Sequence, residues 1–185
     1  MPVVLIVNPK GGVGKSTVAT NLAGYFASRG NATMLGDLDK QQSALGWLAR
    51  RPAGAAAIVS WDVDTDRIIV PLQASLFDIY ATQTFLERLQ ERTGLKESGH
   101  VGVLGMRVDQ RTRAAEQLHR FVDSLGMPVL GFLRDTQNYV QLAAHGLTLW
   151  DVAPSRVEKD VVQWQPLIGW VETGVLQPAS AETIE

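Results

Sequence analysis

The sequence contains no cysteine. That excludes a disulfide framework, a zinc–thiolate centre and an iron–sulfur cluster. The three histidines, His100, His119 and His145, are scattered and show no metal-ligand spacing. No apolar run approaches the ~18 residues of a membrane-crossing helix, and no signal-peptide pattern opens the chain, so a cytoplasmic protein is expected. An excess of charge is missing too: 17 Lys+Arg stand against 19 Asp+Glu, a formal net charge of −2. Global charge does not draw such a chain onto nucleic acid, and any contact of that kind has to come from a local patch. What is present suits a core. Of 185 residues, 45% are hydrophobic and 19% charged, which fits one globular domain. The expected layout is a single domain over residues 1–172 and a polar tail over 173–185.

The chemistry concentrates near the start. An apolar run, Val3-Val4-Leu5-Ile6-Val7, leads into Lys10-Gly11-Gly12-Val13-Gly14-Lys15-Ser16-Thr17, and a helical pattern follows. A buried strand feeding a glycine-rich turn and then a helix is an anion-binding arrangement. The glycines let backbone N–H groups turn inward around phosphates. The helix N-terminus adds its unpaired donors and the positive end of its dipole. Lys15 is placed to reach the β- and γ-phosphates, and the Ser16 hydroxyl to ligate Mg²⁺. A nucleoside triphosphate is the expected ligand, held by Gly11, Gly12, Val13, Gly14, Lys15, Ser16 and Thr17.

Strand and helix patterns alternate along the chain. Strands are expected at 3–7, 32–36, 58–63, 67–72, 100–105 and 129–133. Helices are expected at 15–29, 43–51, 75–92, 110–125 and 136–145, with a partly helical stretch at 156–171 broken at Pro166. Val18, Leu22 and Phe26 recur at helical spacing in the first helix, and Gly30 stops it. Ser75 and Asp78 form a capping pattern ahead of the third. The alternation predicts an α/β fold: a doubly wound, mostly parallel sheet with helices on both faces. Ligands of such folds sit at the carboxyl ends of the strands. Residues 10–16, 37–39, 73–75 and 106–109 all fall there.

The glycine-rich loop departs from the general phosphate-binding pattern. Pro9 stands where the first glycine belongs, and Lys10 opens the loop. In this form it resembles the deviant Walker A loop, K-G-G-x-G-K-[ST], of the ParA/MinD family of ATPases. Gly36-Asp37-Leu38-Asp39-Lys40-Gln41-Gln42-Ser43 is similar to that family's D-x-D-P-Q segment, with Lys40 where proline is usual. Residues 67–77, 105–109, 132–139 and 164–167 also look like the ParA-like, partitioning branch. Met106 stands where that branch has the asparagine that helps read adenine. The resemblance implies the P-loop NTPase fold and Mg²⁺-ATP. It gives catalytic roles to Lys10, Lys15 and Asp39. Lys10 would cross a dimer interface to the partner's nucleotide, and Asp39 would orient the attacking water and join Ser16 near the metal. It also implies an ATP-dependent homodimer that holds non-specific DNA in the nucleoid, and a ParB-like or other adaptor that stimulates hydrolysis. The missing cysteines exclude the iron-protein relatives of the same superfamily, and the C-terminal tail lacks a basic amphipathic helix for a membrane.

One stretch is too short. Strands 58–63 and 67–72 are separated only by Asp64, Thr65 and Asp66. Adjacent parallel strands need a crossover of a dozen or more residues, and three allow only a hairpin. The family carries its Walker B strand, switch II and a helix at this point. Nucleotide binding is expected to survive their loss better than hydrolysis. Two functions follow: a ParA-like ATPase that positions DNA or protein cargo, or a nucleotide-binding interaction protein with little or no turnover, built as a constitutive or segment-exchanged dimer. Arg107, Arg111, Arg113 and Arg120 form the candidate DNA patch, and an ordinary solvated helix accounts for them equally well.

Overall fold

The computed structural model describes residues 3–37, 41–60, 67–93 and 100–176, without the side chains of 76–77 and 88–93. Among the described residues, six strands and seven helices follow in the order β1 (Val4–Ile6), α1 (Lys15–Ser28), β2 (Thr33–Leu35), α2 (Ser43–Leu48), β3 (Ile58–Ser60), β4 (Arg67–Gln73), α3 (Leu76–Thr93), β5 (Val101–Met106), α4 (Arg113–Ser124), β6 (Val129–Phe132), α5 (Gln137–Ala144), α6 (Pro154–Val162) and α7 (Gln165–Thr173). A 3₁₀ turn at Leu149–Asp151 joins α5 to α6. Every strand pairing among the described residues is parallel. The expected α/β architecture is present.

The strands do not form one sheet. β1, β4, β5 and β6 pair in that order, and β2 and β3 form a second, two-stranded sheet. β3 and β4 therefore never become neighbours. The crossover that adjacent parallel strands would need is therefore not required here, and residues 61–66, which link β3 to β4, lie outside the described residues.

Side-chain alternation along β4 shows why helices cover both faces of the larger sheet. Ile68, Val70 and Leu72 point into a core with Val101 and Val103 of β5, Ile79 and Leu86 of α3, and Leu118 and Val122 of α4. Ile69 points the other way, into a core with Val18 and Leu22 of α1, Leu104, Leu130, and Trp164, Leu167 and Trp170 at the start of and within α7. A third core lies under the small sheet. There Ala23 and Ala27 on another side of α1 meet Leu35, Ala44, Trp47 and Ile58. Small alanines let α1 approach β2 and β3 closely, so one helix serves both sheets. The helical stretch expected at 156–171 is interrupted between Val162 and Gln165, just ahead of Pro166. Pro166 itself sits in the first turn of α7, where a missing N–H costs nothing.

Candidate phosphate-binding site

The loop between β1 and α1 is shaped by two residues that only glycine tolerates easily. Gly12 has φ +75° and Gly14 φ +97°, both left-handed. Gly14 also caps α1. A Cβ on Gly14 would lie 2.6 Å from Cε of Met106. Met106 is buried at the end of β5 and forms the floor on which the loop rests. This is the position at which the resembled branch has asparagine, and the Met106 side chain lies against the loop at Gly14. Val13, buried to 1% exposure, pins the middle of the loop.

Polar contacts fix the rim. Asn8, buried between β1 and the loop, donates from Nδ2 to the Pro71 carbonyl at 2.9 Å and to Thr82 Oγ1 at 3.3 Å. Its Oδ1 accepts the Lys10 N–H at 2.8 Å. Gln73, at the carboxyl end of β4, donates to the Gly12 carbonyl at 3.0 Å. Lys15 folds back and donates from Nζ to the Lys10 carbonyl at 3.0 Å. The backbone N–H groups from Gly11 to Thr17 have no protein partner among the described residues, and neither has the Ser16 hydroxyl. A run of unpaired N–H groups at a helix N-terminus, with an ammonium beside it, fits the phosphates of a nucleotide. A serine hydroxyl at the first helical turn fits one coordination position of Mg²⁺.

Lys10 is not loose. Its Nζ is ion-paired with Oδ1 of Asp78, an atom with no other hydrogen-bond partner among the described residues. Asp78 is 3% exposed and Lys10 46% exposed along the side chain. The other carboxylate oxygen accepts the Ser75 hydroxyl at 2.8 Å, and the Asp78 N–H donates back to Ser75 Oγ at 3.2 Å. The capping pattern read from Ser75 and Asp78 is therefore real, and it also holds an anion under Lys10. Asp78 and Asn8 were missed as site residues. Asn8 lies two residues before Lys10, and an asparagine bonding the backbone N–H two residues on is the signal that could have found it; nothing in sequence spacing says that Asp78 meets the loop.

The remaining candidates fall into three groups. Asp39 lies outside the described residues. Asp37, its neighbour, accepts the N–H groups of Ala44 at 2.8 Å and Leu45 at 3.4 Å, which caps α2. The arginines cluster at the carboxyl end of β5 and along α4, as expected, but carboxylates accompany most of them. Arg107, with φ +54°, lies 3.8 Å from Asp135. Arg111 makes two side-chain hydrogen bonds to Asp109 at 2.9 Å, and these hold the Asp109 carboxyl at about 2, well below its usual range. Arg120 lies 3.7 Å from Glu116 one turn before it. Arg113 has no ion pair among the described residues. No group of three or more His, Asp or Glu side chains converges as a metal site among the described residues. No helix among them is long and apolar enough to cross a membrane.

Comparison with known proteins gives the family and the fold. Residues 4–149 match the family model described as the CobQ/CobB/MinD/ParA nucleotide binding domain. The chain is 48% identical over 48 residues to the chromosome-partitioning ATPase Soj of Thermus thermophilus, a match over 26% of this chain and 19% of Soj. The aligned stretch thus spans about a fifth of that relative's length. Among solved structures, a variant of McdA from Cyanothece in complex with ATP superposes with a TM-score of 0.70 at 14% identity, covering 96% of this chain and 98% of that one. MinD of Aquifex aeolicus gives 0.67 at 16% identity, covering 96% and 99%. A putative plasmid partition protein of Borrelia burgdorferi bound to AMPPNP gives 0.65 at 14% identity, covering 87% and 96%. At these identities the structures speak for the fold.

Proposed function

Because this chain belongs to the CobQ/CobB/MinD/ParA nucleotide-binding family, we propose that it is a ParA-like ATPase that binds Mg²⁺-ATP, dimerises on it, and positions DNA or protein cargo. The observation that carries this reading is the unpaired run of N–H groups from Gly11 to Thr17, flanked by two lysines. Lys15 and the loop amides would hold the phosphates, Ser16 the metal, and Asp39 the attacking water. Charge neutralisation and positioning supply most of what phosphoryl transfer requires. Lys10 would serve the partner's nucleotide, and to do so its ammonium must leave Asp78. Arg107, Arg111, Arg113 and Arg120 would bind DNA by exchanging carboxylate partners for phosphates, and an adaptor protein would trigger hydrolysis and release.

A second reading has an observation of its own. β1, which leads into the loop, is only partly buried along its length, whereas β5 is buried throughout. A divided sheet next to the site favours a nucleotide-binding protein with little or no turnover. Light scattering separates the possibilities. A monomer that becomes a dimer only with Mg²⁺-ATP supports the switching ATPase. A mass that nucleotide leaves unchanged supports the second reading.

A further inference from the structure

The ladder between β1 and β4 stops at a pair of prolines. The Arg67 N–H donates to the Val3 carbonyl at 2.8 Å and the Val7 N–H to the Ile69 carbonyl at 2.9 Å, so odd-numbered residues of the two strands bond in turn. The next rungs would run from the N–H of residue 71 to the Val7 carbonyl, and from the N–H of residue 9 to the carbonyl of residue 71. Both positions are proline, which has no N–H. The register accordingly ends at Ile6 and Ile69, and the Pro71 carbonyl is left without its ladder donor. The Asn8 side chain takes that place. Its Nδ2 donates to the Pro71 carbonyl at 2.9 Å and to Thr82 Oγ1 of α3 at 3.3 Å. Its Oδ1 accepts the Lys10 N–H across Pro9 at 2.8 Å. Both polar atoms of this amide are thus used, and the residue is 8% exposed.

This turn is one foot of the glycine arc. A Cβ at Gly11 or Gly12 would meet nothing within 4 Å, so packing does not shape the outer part of the loop. The arc is set at its ends. Val13 is buried and Gly14 rests against Met106 at the far end. At the near end Pro9 fixes one φ, and the bond from Lys10 N–H to Asn8 closes the turn. The Gln73 bond to the Gly12 carbonyl adds an exposed support between them. Because Asn8 occupies the Lys10 N–H, the run of donors open to an anion starts at Gly11. With residues 11–17 read as a phosphate site under the proposed function, we propose that Asn8 is a positioning residue for the nucleotide. Its Oδ1 sets the direction of the loop amides toward phosphate, and its Nδ2 serves stability by replacing the missing rung. One side-chain amide therefore has two separable tasks.

Calorimetric titration of the full chain with Mg²⁺-ATP, beside chemical denaturation, separates the two tasks. Asn8→Ala removes both, and ATP affinity falls by about tenfold or more. In Asn8→Ser the hydroxyl still accepts the Lys10 N–H across Pro9 but is too short for Pro71 and Thr82. That variant binds ATP within about threefold of the unaltered chain, yet loses as much stability as Asn8→Ala. Where the alanine variant does not fold, Asn8→Cys, of serine's size with a weak acceptor, replaces it, and the same loss of affinity is expected. The proposal is overturned if removing the acceptor leaves ATP affinity unchanged. It is overturned as well if Asn8→Ser binds as weakly as the variant without an acceptor, because a merely structural asparagine predicts equal losses in both. A chain that binds no ATP before any substitution is a different failure: it overturns the phosphate reading, and this proposal with it.

Discussion

Single side chains decide whether the loop between β1 and α1 works as a nucleotide site. Lys15→Ala removes the one ammonium that starts the first helical turn, and loss of nucleotide binding by calorimetry is expected. Intact binding would remove the basis of the phosphate reading. The proposed task of Lys10 is different. The residue is ion-paired with Asp78 of its own chain, and under the proposed function Lys10→Ala should leave binding by the monomer intact and abolish ATP-driven dimerisation. Asp78→Asn removes the charge that holds Lys10 back and should raise the dimer fraction at a given ATP concentration. An unchanged fraction would mean that the ion pair has no share in the switch. Gly14→Ala meets both a left-handed backbone and the Met106 side chain. A cost on the order of 2–3 kcal/mol in chemical denaturation follows from strain and overpacking together. The lysines, glycines and Ser16 were legible in the sequence, because the motif is local. Asp78 and Met106 were not legible as neighbours of the loop, since each reaches it only through the pairing of β1, β4 and β5, and the long-range bonds of Asn8 to Pro71 and Thr82 were hidden for the same reason.

At the level of elements, the small sheet is tied to the rest of the molecule by a polar clasp as well as by α1. Arg51, after α2, donates from both terminal nitrogens to Asp151 at 2.9 Å and reaches the Gly146 carbonyl at 3.2 Å. Both side chains are almost fully buried. Thr148 adds its N–H and hydroxyl to the same carboxylate at 2.8 and 2.7 Å. Burial alone would push the Asp151 pKa up, but the hydrogen bonds from Arg51 and Thr148 outweigh it and hold the pKa below the usual carboxylate range. A depressed folded-state pKa means stability that is present above the unfolded value of about 4 and lost as pH falls through the lower folded one. Acid unfolding followed by circular dichroism should therefore show a loss below about pH 4 that Asp151→Asn removes. Arg51→Ala leaves a buried carboxylate without its counter-ion and should cost about 3–5 kcal/mol. A cost under about 1 kcal/mol would place the clasp in effectively solvated surroundings. The helix and strand boundaries around this clasp followed from periodicity to within a few residues. Its 3₁₀ turn did not, because a short capped turn carries no periodic signal.

For the whole molecule, charge is the quantity that sequence counts describe worst. A net charge of −2 leaves DNA binding to the arginines near β5 and α4, and Arg107, Arg111 and Arg120 each sit beside a carboxylate. DNA phosphates have to outcompete those partners, so affinity should fall steeply with salt. Arg111→Glu with Arg113→Glu should weaken binding in anisotropy titrations by about tenfold or more at low salt. Unchanged affinity would assign the patch to ordinary surface.

The sequence by itself determined the α/β class, the order of its elements and the glycine-rich turn between β1 and α1, because periodicity, turn residues and a contiguous motif are all local properties of a chain. It also exposed the short connection before Arg67 through length alone. Only the tertiary structure decided that this connection joins two separate sheets, that Lys10 rests on Asp78, and that Met106 underlies Gly14. Each of these depends on which strands become neighbours. Strand neighbourhood is set by long-range pairing and by the packing of α1 across two cores, and no local spacing encodes it.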